Sequence, residues 1–100
     1  MKTLNEIKKV LLEHRKELKE KYKVKTIGIF GSYAREEQKE TSDIDILVEF
    51  YELPSLLKFV NLENYISDLL NIKVDLVLKN DIRKELKETI LKEEIPIEES

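Results

Sequence analysis

The chain contains no cysteine, which excludes disulfides, thiolate metal sites and cysteine nucleophiles. Glycine and proline occur only twice each, and no repeat, low-complexity tract or internal linker is visible. Residues 1–100 therefore read as one compact domain with a short acidic tail, long enough to bury one core but too short for a separate substrate-binding module. No uninterrupted apolar run is long enough to span a membrane, and the N-terminus has no signal-peptide core. The default is a cytoplasmic protein without membrane association.

Charge is abundant, at 39% of residues, with a net of −3. Residues 1–39 carry 11 basic and 6 acidic side chains, whereas residues 40–100 carry 7 basic and 15 acidic ones. The basic excess lies mainly on the first helix, where it could attract a phosphate or an acidic partner but reads first as a solvated helix face. No basic stripe with interleaved aromatics occurs, so stable DNA binding is not expected.

Leu4, Ile7, Leu11, His14 and Leu18 recur at three- and four-residue intervals, which predicts one amphipathic helix over about 3–22. His14 falls in its apolar stripe and reads as a semi-buried structural residue. "KVKTIGIF" reads as a strand ending at Gly31, Ser32 to about Gln38 as a short Ser-capped helix, and "IDILVEF" as the second strand. Pro54 and Ser55 open a long helix with Leu56, Phe59, Leu62, Ile66 and Leu69 near one face, stopped at Asn71. "IKVDLVL" is the third strand. Asn80 or Asp81 caps a last helix carrying Ile82, Leu86 and Ile90, and Pro96 ends it. The order αβαβαβα predicts a small sheet covered by helices, an α/β (α+β) fold. Spacing does not decide whether strands one and two run parallel or antiparallel.

Three aspartates contradict the apolar character of their strands. Asp43 and Asp45 project to one face while Ile44, Ile46, Val48 and Phe50 face the other. Asp75 alternates in the same way with Val74, Leu76 and Leu78. Aspartate is depleted in strands, and neighbouring like charges beside a core need compensation. Taken singly, Asp43 could simply begin a strand after the "ETS" turn, and Asp45 or Asp75 could lie on a solvated face, paired with Lys73 or hydrogen-bonded to a loop. All three together suit a divalent cation, and hard oxygen ligands favour Mg²⁺ or Mn²⁺.

"IFGSYAR" supplies a complementary feature. Gly31 permits a tight turn and close approach of backbone to ligand, and a helix opening at Ser32 favours an anion. Arg35, in the first turn of that helix, opposes its dipole unless an anion is also bound. Tyr33 reads as an exposed helix tyrosine or a neighbour of a nucleotide base, and Tyr51, Tyr65 and Phe59 as packing or partner contacts.

Gly31-Ser32, then Asp43-Ile44-Asp45 after ten residues, then Asp75 in "VDLV" resemble the DNA polymerase β-like nucleotidyltransferase superfamily. "GSYAR" and "SDIDILVEF" look most like its minimal nucleotidyltransferases, the MntA-type antitoxins. The resemblance implies a mixed sheet with helices mainly on one side and the site on the strand ends and open face. It further implies that Asp43 and Asp45 bind two Mg²⁺ ions, that Asp75 completes one metal site and helps activate the acceptor, and that Gly31 and Ser32 hold the triphosphate of ATP, with Arg35 beside them. Such antitoxins pair with a HEPN-domain RNase toxin, so a hetero-oligomer is expected, with AMP passing to a tyrosine hydroxyl of the toxin. The alternative is a non-catalytic antitoxin that neutralises its partner by occlusion. Relatives commonly carry Gly after the Ala-Arg pair where this chain carries Glu36, which favours that alternative.

Overall fold

The computed structural model describes residues 3–97. The N-terminal periodicity produces two helices rather than one, α1 (Leu4–Glu13) and α2 (Arg15–Tyr22). Thr3 caps the first by accepting the Glu6 N–H at 3.2 Å. The break falls at His14, which has φ −104° and ψ 8° and whose Nδ1 lies 2.8 Å from the Val10 carbonyl oxygen. A ring bonded to the preceding turn competes with the helical hydrogen-bond ladder. His14 is half-buried, as its place in the stripe implies. Lys23 ends α2 in the left-handed conformation, at φ 61°.

Four strands follow in a mixed sheet: β1 (Val24–Phe30), β2 (Ile44–Phe50), β3 (Val74–Leu78) and β4 (Ile95–Pro96), in the order β3-β2-β1-β4. β1 pairs antiparallel with both β2 and β4, and β2 pairs parallel with β3. The crossover from β2 to β3 is α3 (Leu56–Leu70), capped by Ser55, which accepts the Lys58 N–H, and stopped by Asn71 at φ 55°. A fourth helix, α4 (Lys84–Glu93), precedes β4.

The last helix ends at Glu93, before Pro96 as expected, and Ile95–Pro96 then form a fourth strand that the order αβαβαβα did not include. Proline lacks an N–H to give to a neighbour, but at a sheet edge none is required. The last helix begins later than expected. Lys79–Asp81 forms a 3-10 turn, Ile82 lies outside the helix, and Arg83 occupies the cap position without a side-chain bond.

One sheet face carries Ile27, Ile29, Ile44, Ile46, Val48, Val74 and Leu76, and packs against Ile7, Leu11 and Leu18 of the first two helices and Leu62, Ile66 and Leu70 of α3. The period-2 alternation of strands meeting the 3.6 period of helices builds this core. Leu70 rather than Leu69 is its last α3 contribution, and Leu56, expected on the same face, is 79% exposed. The opposite sheet face turns out Gly28, Phe30, Asp45 and Asp75. The Glu94 carboxyl crosses Gly28, where an added Cβ would meet Glu94 Oε2 at 2.2 Å, and faces Lys79 Nζ at 3.9 Å. No helix among the described residues is long and apolar enough to cross a membrane.

Candidate active site

Strand register brings the acidic residues together. Asp45 and Asp75 are direct partners across the parallel β2–β3 pair, which sets their backbones about 4.8 Å apart with both side chains on the same face. Asp43 lies two residues earlier, just before β2 opens at Ile44. Phe30, the last residue of β1, pairs with Asp45, so the chain turns at Gly31 directly beside that carboxylate.

Gly31 has φ +74°, and a Cβ there would lie 2.1 Å from Asp45 Oδ2. Glycine is therefore required twice, by the backbone conformation and by the space the carboxyl fills. The expected helix after it does not form. One turn closes instead, with the Arg35 N–H donating to the Gly31 carbonyl at 3.1 Å and the Glu37 N–H to that of Ser32 at 2.9 Å. Ser32 is thus no helix cap, and the helix-dipole argument for anion binding lapses. The turn has its own donors, since the Ser32, Tyr33 and Ala34 N–H groups have no acceptor among the described residues. Successive free N–H groups in a turn form a concavity suited to an anion.

Glu36 closes the turn at φ 58°. A left-handed conformation is natural for glycine and costs another residue about 1–2 kcal/mol. Glutamate here keeps the backbone shape that a glycine would adopt, at some expense in stability, so the substitution alters the strain and not the path.

Burial, then Asp75, then Asp43 push the Asp45 carboxyl above its ordinary range, while Arg35 pulls the other way. The four groups therefore share one electrostatic neighbourhood. Arg35 is held by Glu37, 3.1 Å from its Nε, and by Glu93 of α4, 3.1 Å from its Nη1. These bonds leave other guanidinium N–H groups for a further anion. Asp43 lies 3.9 Å from Lys73 Nζ, with 46% of its side chain exposed, so among the described residues Lys73 pairs with Asp43 and not with Asp45 or Asp75, where the sequence suggested it. Among the described residues no three acidic or histidine side chains draw together as a ready-made metal cage.

That openness does not disqualify magnesium. Mg²⁺ is commonly held by one or two carboxylates together with water and substrate phosphates. The donor set is all hard oxygen, and the burial and like charges that raise Asp45 are costs that a bound cation would offset. The residues fit the ion.

Tyr33 is the residue the sequence placed wrongly. It is 2% exposed and belongs to the core, and its hydroxyl titrates above the usual range because of burial and Asp43. It also lines a cleft of about 520 Å³ with Glu6, Asp43, Leu70 and Asn71, which opens beside the first aspartate and was not foreseen. Tyr65 donates its hydroxyl to Glu17 at 2.7 Å, and burial, aided by that bond, pushes its pKa up to about 12.

The family model of the nucleotidyltransferase domain matches residues 11–97. The chain belongs to the nucleotidyltransferase domain family. MJ1217 of Methanocaldococcus jannaschii is 73% identical over 82 residues, which make up 82% of this chain and 84% of that protein. The protein adenylyltransferase MntA of Thermococcus cleftensis is 53% identical over 93 residues, 93% of this chain and 94% of its own. A toxin–antitoxin crystal structure with AMP-PNP superimposes with a TM-score of 0.71 at 26% identity, covering 97% of this chain and 73% of that one. The minimal nucleotidyltransferase resemblance and the α+β mixed sheet are both borne out.

Two substitutions separate the roles of the turn residues. Glu36→Gly should raise stability by about 1 kcal/mol and leave nucleotide transfer intact, whereas Gly31→Ala should abolish transfer, as urea unfolding and a transfer assay would report. Loss of activity in Glu36→Gly, or an active Gly31→Ala, would contradict these roles.

The charge on Asp45 makes a second prediction. Its folded-state pKa is raised, so the folded chain holds that proton more tightly than the unfolded one, and stability falls as pH rises through the interval between the two values. Asp45→Asn, in EDTA, should flatten that fall and raise Tm at neutral pH. A pH–Tm profile identical to that of the parent would show that the carboxylates are not coupled.

Proposed function

We propose that the chain is a magnesium-dependent protein adenylyltransferase which acts as an antitoxin, moving AMP from ATP to a tyrosine hydroxyl of a HEPN-domain RNase toxin. Residues 1–100 serve as one minimal catalytic domain in this reading. The observation that carries it is the register that sets Asp45 against Asp75, with Asp43 two residues upstream and the Gly31 turn packed on Asp45. The T. cleftensis relative and the toxin–antitoxin likeness with AMP-PNP support it.

The triphosphate lies in the Gly31–Ala34 turn, taking the free N–H groups and the Ser32 hydroxyl, with Arg35 exchanging part of its contact with Glu37 and Glu93 for phosphate oxygen. Asp43 and Asp45 hold two magnesium ions, and Asp75 completes one of the two sites. Bound there, the ions supply neutralisation of the charge on the phosphoryl oxygens. Asp75, the most solvent-facing strand carboxylate, receives the acceptor hydroxyl and takes its proton as the oxygen attacks. The new bond forms between that oxygen and the α-phosphorus, and the bond to the bridging oxygen breaks, so pyrophosphate leaves. Orientation and fixed charge provide most of the rate enhancement, as is usual for phosphoryl chemistry.

The occlusion alternative rested mainly on Glu36, and that residue maintains the turn at φ 58°. Labelled ATP separates the two readings. With the HEPN partner and Mg²⁺, label from α-labelled ATP should stay on the partner and label from γ-labelled ATP should not, and Asp45→Asn should abolish the transfer. An Asp43→Asn chain that still neutralises the toxin would establish occlusion instead.

A further inference from the structure

Among the described residues, seven large apolar side chains are strongly exposed, and five of them, Tyr51, Leu53, Leu56, Leu57 and Val60, fall within ten consecutive positions. Their exposure runs from 39% for Val60 to 79% for Leu56. Contiguous exposed apolar surface of this kind marks an interaction site. It spans the loop after β2 and the first turns of α3, at the end of the sheet away from the aspartates. β2 starts beside Asp43 and ends at Phe50, and α3 starts where Phe59 meets Phe50, with ring centres 6.2 Å apart. At about 3.3 Å per residue, the patch begins roughly 17–20 Å from Asp45.

Its surroundings are basic. A groove of about 500 Å³ alongside is lined by Lys21, Tyr22, Ser55, Leu57, Lys58 and Asn61, and a smaller one by Lys23, Glu52, Leu53 and Lys58, so three lysines stand against one glutamate. Lys21 lies over the Tyr22 and Tyr65 rings. None of Lys21, Lys23 and Lys58 forms an ion pair among the described residues. An apolar strip edged by uncompensated ammonium groups matches an amphipathic helix edged by carboxylates, the helix-in-groove mode of recognition.

We propose that this end of the molecule is a docking surface for a second protein that presents such an acidic amphipathic helix. A second copy of this chain fits poorly. A two-fold contact through the patch would gather the Lys21, Lys23 and Lys58 side chains of both copies into one interface with only the two Glu52 carboxylates to offset them. The chain's own candidate helix, α4, exposes Leu86 and Leu91 but carries three lysines and three glutamates and so has no excess of acid. The proposal deepens the function above by stating how the protein partner is held, and rests on that reading for the partner's identity. Because the surface is remote from the aspartates, partner holding and AMP transfer use separate contacts.

The test uses the full chain with its HEPN-domain partner and two variants, Leu53→Ser/Leu57→Ser and Lys21→Glu/Lys58→Glu. All four side chains lie outside the core and the site, so circular dichroism and Tm should be unchanged, while the dissociation constant rises at least about tenfold in each. AMP transfer should show a higher KM for the partner with kcat retained. Three results would overturn the proposal: a dissociation constant unchanged by either pair, a wild-type dimer that Leu53→Ser/Leu57→Ser disperses in light scattering, or cosedimentation with vesicles of equal phosphatidylserine and phosphatidylcholine that the same variant loses. Weakened binding together with no transfer by the wild type would remove the enzymatic reading and support the docking surface.

Discussion

The contact between Gly31 and Asp45 organises this molecule's chemistry. A carboxyl group rests on a glycine Cα in the left-handed conformation, where no larger residue fits. The contact joins the two halves of the site, because the turn that offers N–H groups and the strand that offers carboxylates are built around the same point. Each is weak evidence alone. A Gly-Ser turn is common, and a single strand aspartate is easily solvated, as the Asp43–Lys73 pair illustrates.

The sheet converts that contact into a functional geometry. Antiparallel pairing of β1 with β2 delivers Gly31 to Asp45, and parallel pairing of β2 with β3 delivers Asp75 to the same place. The cost is electrostatic. Asp45 is half-buried between like charges and held above its normal pKa, so the protein stores a repulsion that a cation can discharge. Sites that run against local stability in this way are expected where function requires it.

Much of this was legible in the sequence because it depends on short-range patterns. The period-2 alternation of "IDILVEF" places β2 correctly, and the same parity argument assigns Asp45 and Asp75 to the face away from the core. The Asn71 stop and the Ser55 cap follow from local chemistry. What was not legible depends on distant partners. β4 is two residues long and pairs with Gly28 and Ile29 across most of the chain, so it has no periodicity of its own. The break at His14 arises from one side-chain bond that hydrophobic spacing does not encode. Tyr33 enters the core because the turn after Gly31 coils without becoming a helix, and helical propensity from Ala34 to Gln38 gave way to left-handed residues at both ends of that turn. Leu56 was apolar and on the helical stripe, which sequence alone reads as core, yet it lies exposed.

The central claim is that Asp43, Asp45 and Asp75 act as one cation-binding unit next to the Gly31 turn. Its most direct test is a manganese titration followed by electron paramagnetic resonance, with a non-hydrolysable ATP analogue present. The account requires two bound ions per chain, with both weakened in Asp45→Asn and one lost in Asp75→Asn. Manganese affinity and stoichiometry unchanged by these two substitutions would contradict it.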